Sequence, residues 1–266
     1  MHTLDGKKRM KVIILAGGKG TRISEESTLR PKPMVEIGGK PILWHIMKIY
    51  SSYGFNEFII CCGYKGNMIK DYFLEYALHE KDVSYNLSMD VSKKYTPVDE
   101  KWKVTLVNTG YETKTAGRVL QALKYVEDNE EFMLTYGDGV ADINISDLLA
   151  YHHKMGKRLT ISTTKPVGRF GGIDMDENGL IGGFREKARK DQSWVNIGFM
   201  VGKKSTVDFL GDGSEMLETG PFERLVEAGE LAAYRHEGFW APMDTVHDRA
   251  TLEEMWESQK APWKLW

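Results

Sequence analysis

The apolar run Lys11-Val-Ile-Ile-Leu-Ala16 ends abruptly at Gly17-Gly-Lys-Gly20. Aliphatic, mostly β-branched residues without polar alternation suit a strand covered on both faces, and such strands belong to sheets flanked by helices. Pro41–Tyr53 follows with Leu43, Ile46, Met47, Tyr50 and Tyr53 on one helical face. Pro41 suits its first turn and Gly54 its stop. Glu57–Cys62 repeats the strand pattern, and Met68–Leu78 repeats the amphipathic helix, with Asn67 as its cap. Trp102–Val107, Arg118–Val126 and Phe132–Tyr136 continue as strand, helix and strand. This alternation predicts right-handed βαβ units and a mostly parallel sheet.

From about Arg158 the pattern turns strand-rich. Leu159–Thr164, Ile173–Asp176, Leu180–Arg185, Trp194–Val201 and Leu231–Arg235 read as strands, and Phe222–Ala228 and His247–Gln259 as helices. Glu80–Lys101 is polar and reads as a long excursion, and residues 1–9 as a disordered leader. With 266 residues, the remainder, 10–266, is long enough for one large core. A net charge of −2 argues against a nucleic-acid or anionic-membrane partner, and no apolar run approaches the length of a membrane span. Val12–Ala16 is too short for a secretory signal. Cys61 and Cys62 are adjacent in a strand and point to opposite faces, so no disulfide is expected between them. A reduced, cytoplasmic setting follows from that reading.

Lys19, Arg22, Arg30 and Lys32 crowd the glycine turn, which suggests a bound anion. Glycines let backbone N–H groups approach phosphates closely, and Arg22 and Lys32 could place positive charge where a pentavalent phosphorus gathers negative charge. Solvated cations on an ordinary turn are the plainer competitor. Two common phosphate loops fail here. Gly20 is followed by Thr21-Arg22 where a P-loop needs Lys-Ser/Thr, and Ile23 replaces the last small residue of a dinucleotide fingerprint. Asp138 lies just past Phe132–Tyr136, where open α/β sheets place ligands, although Asp before Gly can also cap a turn. Asp142 reads as capping or bordering the next helix. Asp174-Met-Asp-Glu-Asn-Gly179 begins like a calcium loop, but its twelfth position is Arg185, and Asn178-Gly179 signals a hairpin. His45, His152 and His153 lack metal-ligand spacing and read as surface or packing residues. The tail Ala261–Trp266 reads as packing on the core or on a neighbouring subunit.

Leu15-Ala-Gly-Gly-Lys-Gly-Thr-Arg22, followed by Arg30-Pro-Lys-Pro-Met34, resembles the double signature of the sugar-nucleotide pyrophosphorylases, a nucleotidyltransferase family. Pro33–Met47, Ile59–Gly66, Thr135–Asp142 and Gly238–Thr245 resemble the glucose-1-phosphate cytidylyltransferases within it. The likeness implies an α/β, Rossmann-like αβα core with a mixed, β-rich C-terminal part. Residues 10–157 would then form a nucleotide-binding half and 158–266 a sugar-phosphate half. It implies Arg22 and Lys32 as catalytic residues and Mg²⁺ on Asp138 and Asp244. Leu15, Ala16, Gly17, Gly18, Gly20, Thr21, Thr113, Arg118 and Gly137 would surround the nucleotide. Glu186, Lys187 and Asn196 would hold the sugar phosphate, with Gly168–Gly171 beside them. The implied reaction joins CTP to glucose 1-phosphate, giving CDP-glucose and pyrophosphate for deoxysugar and O-antigen biosynthesis, in a homo-oligomer. Residue chemistry does not choose the base, so a UTP- or dTTP-dependent enzyme stays open. So does a non-catalytic nucleotide-binding subunit, whose mark would be loss of Lys32, Arg22 or an aspartate.

Overall fold

β1 (Lys11–Ala16) is covered on both sides: Val12, Ile14 and Ala16 join one apolar cluster, Ile13 and Leu15 the other. The structure is a computed structural model that describes residues 10–18, 29–80, 83–84, 94–95, 99–128, 130–166, 172–175, 181–185 and 193–266. After β1 come β2 (Glu36–Ile37), β3 (Lys40–Pro41), α1 (Ile42–Ser52), β4 (Glu57–Cys62) and α2 (Gly66–Glu80). β5 (Val83–Ser84), β6 (Lys94–Tyr95), β7 (Lys103–Asn108), α3 (Thr115–Ala122), β8 (Glu131–Tyr136), β9 (Gly139–Ala141) and α4 (Ile145–Met155) follow. The rest comprises β10 (Leu159–Thr164), β11 (Gly172–Met175), β12 (Ile181–Arg185), β13 (Val195–Lys203), α5 (Pro221–Glu227), β14 (Leu231–Arg235), β15 (Trp240–Pro242) and α6 (Val246–Glu257).

Among the described residues the main sheet has the order β14-β10-β13-β8-β1-β4-β7. Every neighbouring pair is parallel except the two made by β13. The mostly parallel α/β sheet expected from the sequence is therefore present, and β10, β13 and β14 extend it. The chain runs outward from β1 through β4 to β7, then returns to β8 on the other side of β1. Open sheets leave a crevice at the carboxyl ends of strands where the order reverses in this way. α1 packs Ile42, Ile46, Met47 and Tyr50 on one face, and α3 packs Ala116, Val119 and Ala122 on the other. Each fully buried aliphatic side chain contributes about 1.5–3 kcal/mol.

Several local expectations are corrected. α2 starts at Gly66, so Asn67 lies inside it rather than capping it. The reason is Lys65, whose φ of 47° closes a left-handed turn one residue earlier. α3 begins at Thr115, before the expected Arg118, and gives way to a 3-10 turn at Leu123–Tyr125. Asn144, not Asp142, caps α4, its Oδ1 accepting from the N–H groups of Ser146 and Asp147. Asp142 instead accepts from the Phe239 N–H at 2.7 Å and pairs with His236 at 3.0 Å. β11 and β12 pair antiparallel, as a hairpin requires, but its turn lies outside the described residues. So do residues 1–9, Gly168–Gly171 and most of the polar excursion.

The tail packs on the core. Trp263 is fully buried, stacks with Phe239 and Trp256, and donates from Nε1 to His45 Nδ1 at 3.4 Å. His45 in turn donates from Nε2 to the Ile37 carbonyl at 2.8 Å. His152 is buried as well, while His153 is partly exposed and pairs with Glu131. Cys61 and Cys62 are free thiols in β4. Among the described residues no helix is long and apolar enough to cross a membrane.

Trp263→Ala is expected to lower unfolding free energy by about 3–5 kcal/mol, read as a lower denaturant midpoint at unchanged slope. Burial pulls the imidazoles of His45 and His152 down to about 4. In the unfolded chain a histidine titrates near 6.5, so between about 6.5 and 4 the unfolded state binds more protons. Stability should therefore fall as pH falls through that window. Urea midpoints at a series of pH values would show it, and the fall should be smaller in His45→Gln.

Candidate active site

A cleft of 530 Å³ opens at the carboxyl ends of β1 and β8. Leu15–Gly18 line it together with Lys32–Pro33, the segment from Tyr111 to Thr115, Arg118, Tyr136–Asp138, Met216 and Asp244. Lys32 begins a 3-10 turn, Lys32–Met34, between two prolines. Proline fixes φ, and the Met34 N–H to Pro31 carbonyl bond of 2.8 Å closes the turn, so the Lys32 backbone has little freedom. Its ammonium lies 2.8 Å from Asp138 Oδ2 and 2.6 Å from Asp244 Oδ1. Burial opposes the charge on Lys32, yet the fields and hydrogen bonds of the two aspartates outweigh it and hold the pKa above the ordinary lysine value. Lys32 is therefore a cation at neutral pH.

The two aspartates meet because β9 pairs antiparallel with β15, Gly139 facing Pro242. The Met243 N–H donates to the Asp138 carbonyl at 2.8 Å, which extends that register. Asp244 is fixed from its other side by a capping box at the start of α6. Thr245 Oγ1 accepts from the Asp248 N–H at 3.1 Å, and Asp248 Oδ2 accepts from the N–H groups of Thr245 and Asp244 at 2.8 and 3.0 Å. Gly137 lets the end of β8 close onto β1, its N–H donating to the Leu15 carbonyl at 3.0 Å. A Cβ there would lie 3.0 Å from that carbonyl oxygen and 3.1 Å from the Pro33 ring.

Arg118 is 4% exposed and spends its donors on the protein. Its guanidinium donates to the carbonyls of Gly17 at 3.0 Å, Gly110 at 3.0 Å and Tyr111 at 3.4 Å, and to Thr109 Oγ1 at 2.5 Å. The ends of β1 and β7 are thereby tied together. A Cβ on Gly17 would sit 2.1 Å from this guanidinium and would push it off its present partners. The resemblance implies that Arg118 touches the nucleotide. In the structure it lines the cleft and braces the loops that form its wall.

Leu15, Ala16, Gly17, Gly18, Lys32, Thr113, Arg118, Gly137, Asp138 and Asp244 thus share one cleft. Gly20, Thr21, Arg22, Glu186 and Lys187 lie outside the described residues. Asn196 does not line the cleft. Its Oδ1 accepts from the Gly198 N–H at 2.9 Å, and its side chain hydrogen-bonds to Tyr136, which does line it. The Tyr136 phenol donates to Glu218, and burial together with that carboxylate drives its pKa far above the ordinary value. Tyr111, Tyr136 and Met216 also line the cleft and carry no spacing signal in the sequence. Thr245-Val-His-Asp248 was legible as a capping box.

The chain belongs to the nucleotidyl transferase family, whose model matches residues 11–256. Within that family it is similar to the glucose-1-phosphate cytidylyltransferase of Salmonella typhi. The two are 49% identical over 257 residues, which cover 97% of this chain and 100% of that protein. A probable glucose-1-phosphate cytidylyltransferase of Bacillus subtilis is 46% identical, over 97% of this chain and all of its own length. The motif resemblance to glucose-1-phosphate cytidylyltransferases therefore holds along nearly the whole chain. The UDP-glucose pyrophosphorylase from Acinetobacter baumanii has the same fold, with a TM-score of 0.68, 16% identity and 94% of each chain covered.

Replacing Arg118 by Met should leave the carbonyls of Gly110 and Tyr111 without their guanidinium donor and loosen the wall of the cleft. Nucleotide affinity is expected to fall about tenfold or more, since each hydrogen bond to a charged group is worth about 1.5–3 kcal/mol. Isothermal titration and thermal melts check the loss of affinity and the accompanying drop in melting temperature.

Proposed function

We propose that the protein transfers the cytidylyl group of CTP to α-D-glucose 1-phosphate, releasing pyrophosphate and forming CDP-glucose for deoxysugar and polysaccharide synthesis. The observation that carries the reaction class is the buried Lys32 ammonium held between Asp138 and Asp244, beside glycines at the end of β1. The choice of cytidine and glucose rests on the similarity to the Salmonella typhi protein.

In this reading a phosphate oxygen of the sugar attacks the α-phosphorus in line. A new P–O bond forms as the bond to the bridging oxygen breaks, and pyrophosphate carries the electron pair away. The second pKa of a phosphate monoester is about 6, so the attacking group is already dianionic and needs no general base. The lining fits that requirement: among the described residues no histidine or cysteine faces the cleft. Catalysis is then positioning and charge stabilisation. Lys32 supplies a permanent cation for the transferring group, and Arg22 is assigned the same task from its place in the signature. Gly17, Gly18 and Thr113 line the same cleft and are assigned to the nucleotide. Glu186, Lys187 and Asn196 are assigned to the sugar phosphate.

Asp138 and Asp244 suit Mg²⁺, because their oxygens already converge on one cation and hard divalent ions prefer such donors. When bound there, Mg²⁺ would spread the negative charge of the triphosphate. Asp138 and Asp244 would contribute two oxygens and leave the others to water and phosphate.

Pyrophosphate release measured with each nucleoside triphosphate, glucose 1-phosphate and Mg²⁺ tests the proposal. CTP should support turnover about a hundredfold better than UTP or dTTP. Preference for UTP or dTTP would move the assignment to a sister enzyme, and no release with any of them would favour a binding subunit. Lys32→Ala and Asp138→Ala should each lower kcat by about 10²–10³ with an unchanged circular dichroism spectrum. Full activity in either variant would place the chemistry elsewhere.

A further inference from the structure

Lys32 has a second consequence for how the site is loaded. Its ammonium sits on the inward oxygens of both aspartates, at 2.8 and 2.6 Å, which are distances of strong charge-assisted hydrogen bonds. Its side chain is only 9% exposed, whereas those of Asp138 and Asp244 are 36% and 20% exposed. The proline-bounded turn holds the lysine backbone in place. Two carboxylates from distant parts of the chain meet on the Lys32 ammonium, which both contact directly. We propose that Lys32 blocks the carboxylate pair against divalent metal until the triphosphate arrives, so that metal enters only together with nucleotide. This inference rests on the reading of Asp138 and Asp244 as the metal-holding pair.

The physical reasons are charge and ligand number. A divalent ion set beside a buried ammonium is repelled by it, and that repulsion is weakly screened away from water. Among the described residues no group of three or more metal-ligating side chains exists, so the pair alone supplies few of the roughly six oxygens that Mg²⁺ requires. The triphosphate changes both conditions at once. It brings further oxygens for the metal, and its negative charge offers the ammonium a partner in place of the carboxylates. The exchange breaks no covalent bond and moves no proton: Lys32 passes from carboxylate to phosphate as the carboxylates pass from ammonium to metal. Loading the metal and aiming the catalytic lysine at the phosphates become one event.

The test uses Mn²⁺ as the probe, counted by the paramagnetic resonance signal of the free ion, on the full chain. Without nucleotide, Lys32→Gln should bind Mn²⁺ about tenfold or more tightly than the unmodified protein, and Asp138→Asn in that background should abolish the gain. With a non-hydrolysable CTP analogue, the difference between the unmodified protein and Lys32→Gln should shrink. Equal Mn²⁺ affinity without nucleotide would overturn the blocking role while leaving the metal pair intact, provided Asp138→Asn still weakens Mn²⁺ binding in the presence of the analogue. No effect of Asp138→Asn or Asp244→Asn on that binding would sink the metal reading itself and the inference with it. A second measurement needs no variant. The side-chain ¹⁵N signal of Lys32 should stay fixed on adding Mg²⁺ alone and move when Mg²⁺ and the analogue are added together. Movement with Mg²⁺ alone overturns the proposal.

Discussion

A lysine buried at the end of a sheet needs counter-charge, and Lys32 finds it in two carboxylates, Asp138 and Asp244. That requirement ties together a proline-rich turn after β1, the end of β8 and the entry to α6. Breaking one partner of such a set leaves uncompensated charge in a partly dry environment, which is costly. The surrounding backbone is correspondingly over-determined. Gly137 closes on Leu15, Met243 on Asp138, and Asp248 on the N–H groups of Asp244 and Thr245.

The cleft contains a second buried cation with a different kind of environment. Arg118 is surrounded by carbonyls and a hydroxyl, and burial holds its pKa below the ordinary guanidinium value. Its planar fork is committed to the Gly17 loop and to the segment after β7 at once. An arginine bound in this way can hold a wall but gains little by turning toward a ligand, since its bonds to three carbonyls and a hydroxyl would be given up. Lys32 has one compact ammonium on a flexible stem, and a phosphate oxygen can replace a carboxylate oxygen without leaving a neutral group stranded. The residue types thus divide the labour: arginine for shape, lysine for transferable charge.

What was legible in the sequence follows the same physics. Strands buried on both faces announce themselves as continuous apolar runs, which is why β1 and β4 have the bounds expected of them. Helix starts are less legible, because they depend on single backbone turns. Lys65 adopts a left-handed φ that no residue pattern demands, and Asn144 displaced Asp142 as a cap although both residue types serve there. Lys32 is legible as a cation beside the glycine turn, Asp138 through a strand-end rule, and Asp244 through the family likeness alone. Their meeting was not derivable from periodicity, since it depends on the three-residue strands β9 and β15, too short to show alternation. The contact of Tyr136 with Glu218 is illegible for a related reason: a strand end touching the 3-10 turn Leu217–Thr219 leaves no spacing in the chain.

The protonation states around the cleft close the physical picture. Lys32 is held above the ordinary lysine value, and Tyr136 is pushed further from neutrality by burial and by Glu218. Burial drives the thiols of Cys61 and Cys62 up to about 12 and about 11, so β4 offers no thiolate at neutral pH. None of these groups changes charge near pH 7. Phosphoryl transfer of this kind needs no proton from the protein, because the substrate's phosphate arrives already ionised and the transition state asks mainly for fixed positive charge. Fixed charge is costly to bury without a counter-charge, and the aspartates provide one until the substrate does. The same two acids that could hold a metal during turnover therefore serve an earlier purpose, allowing a buried lysine to exist in the folded chain.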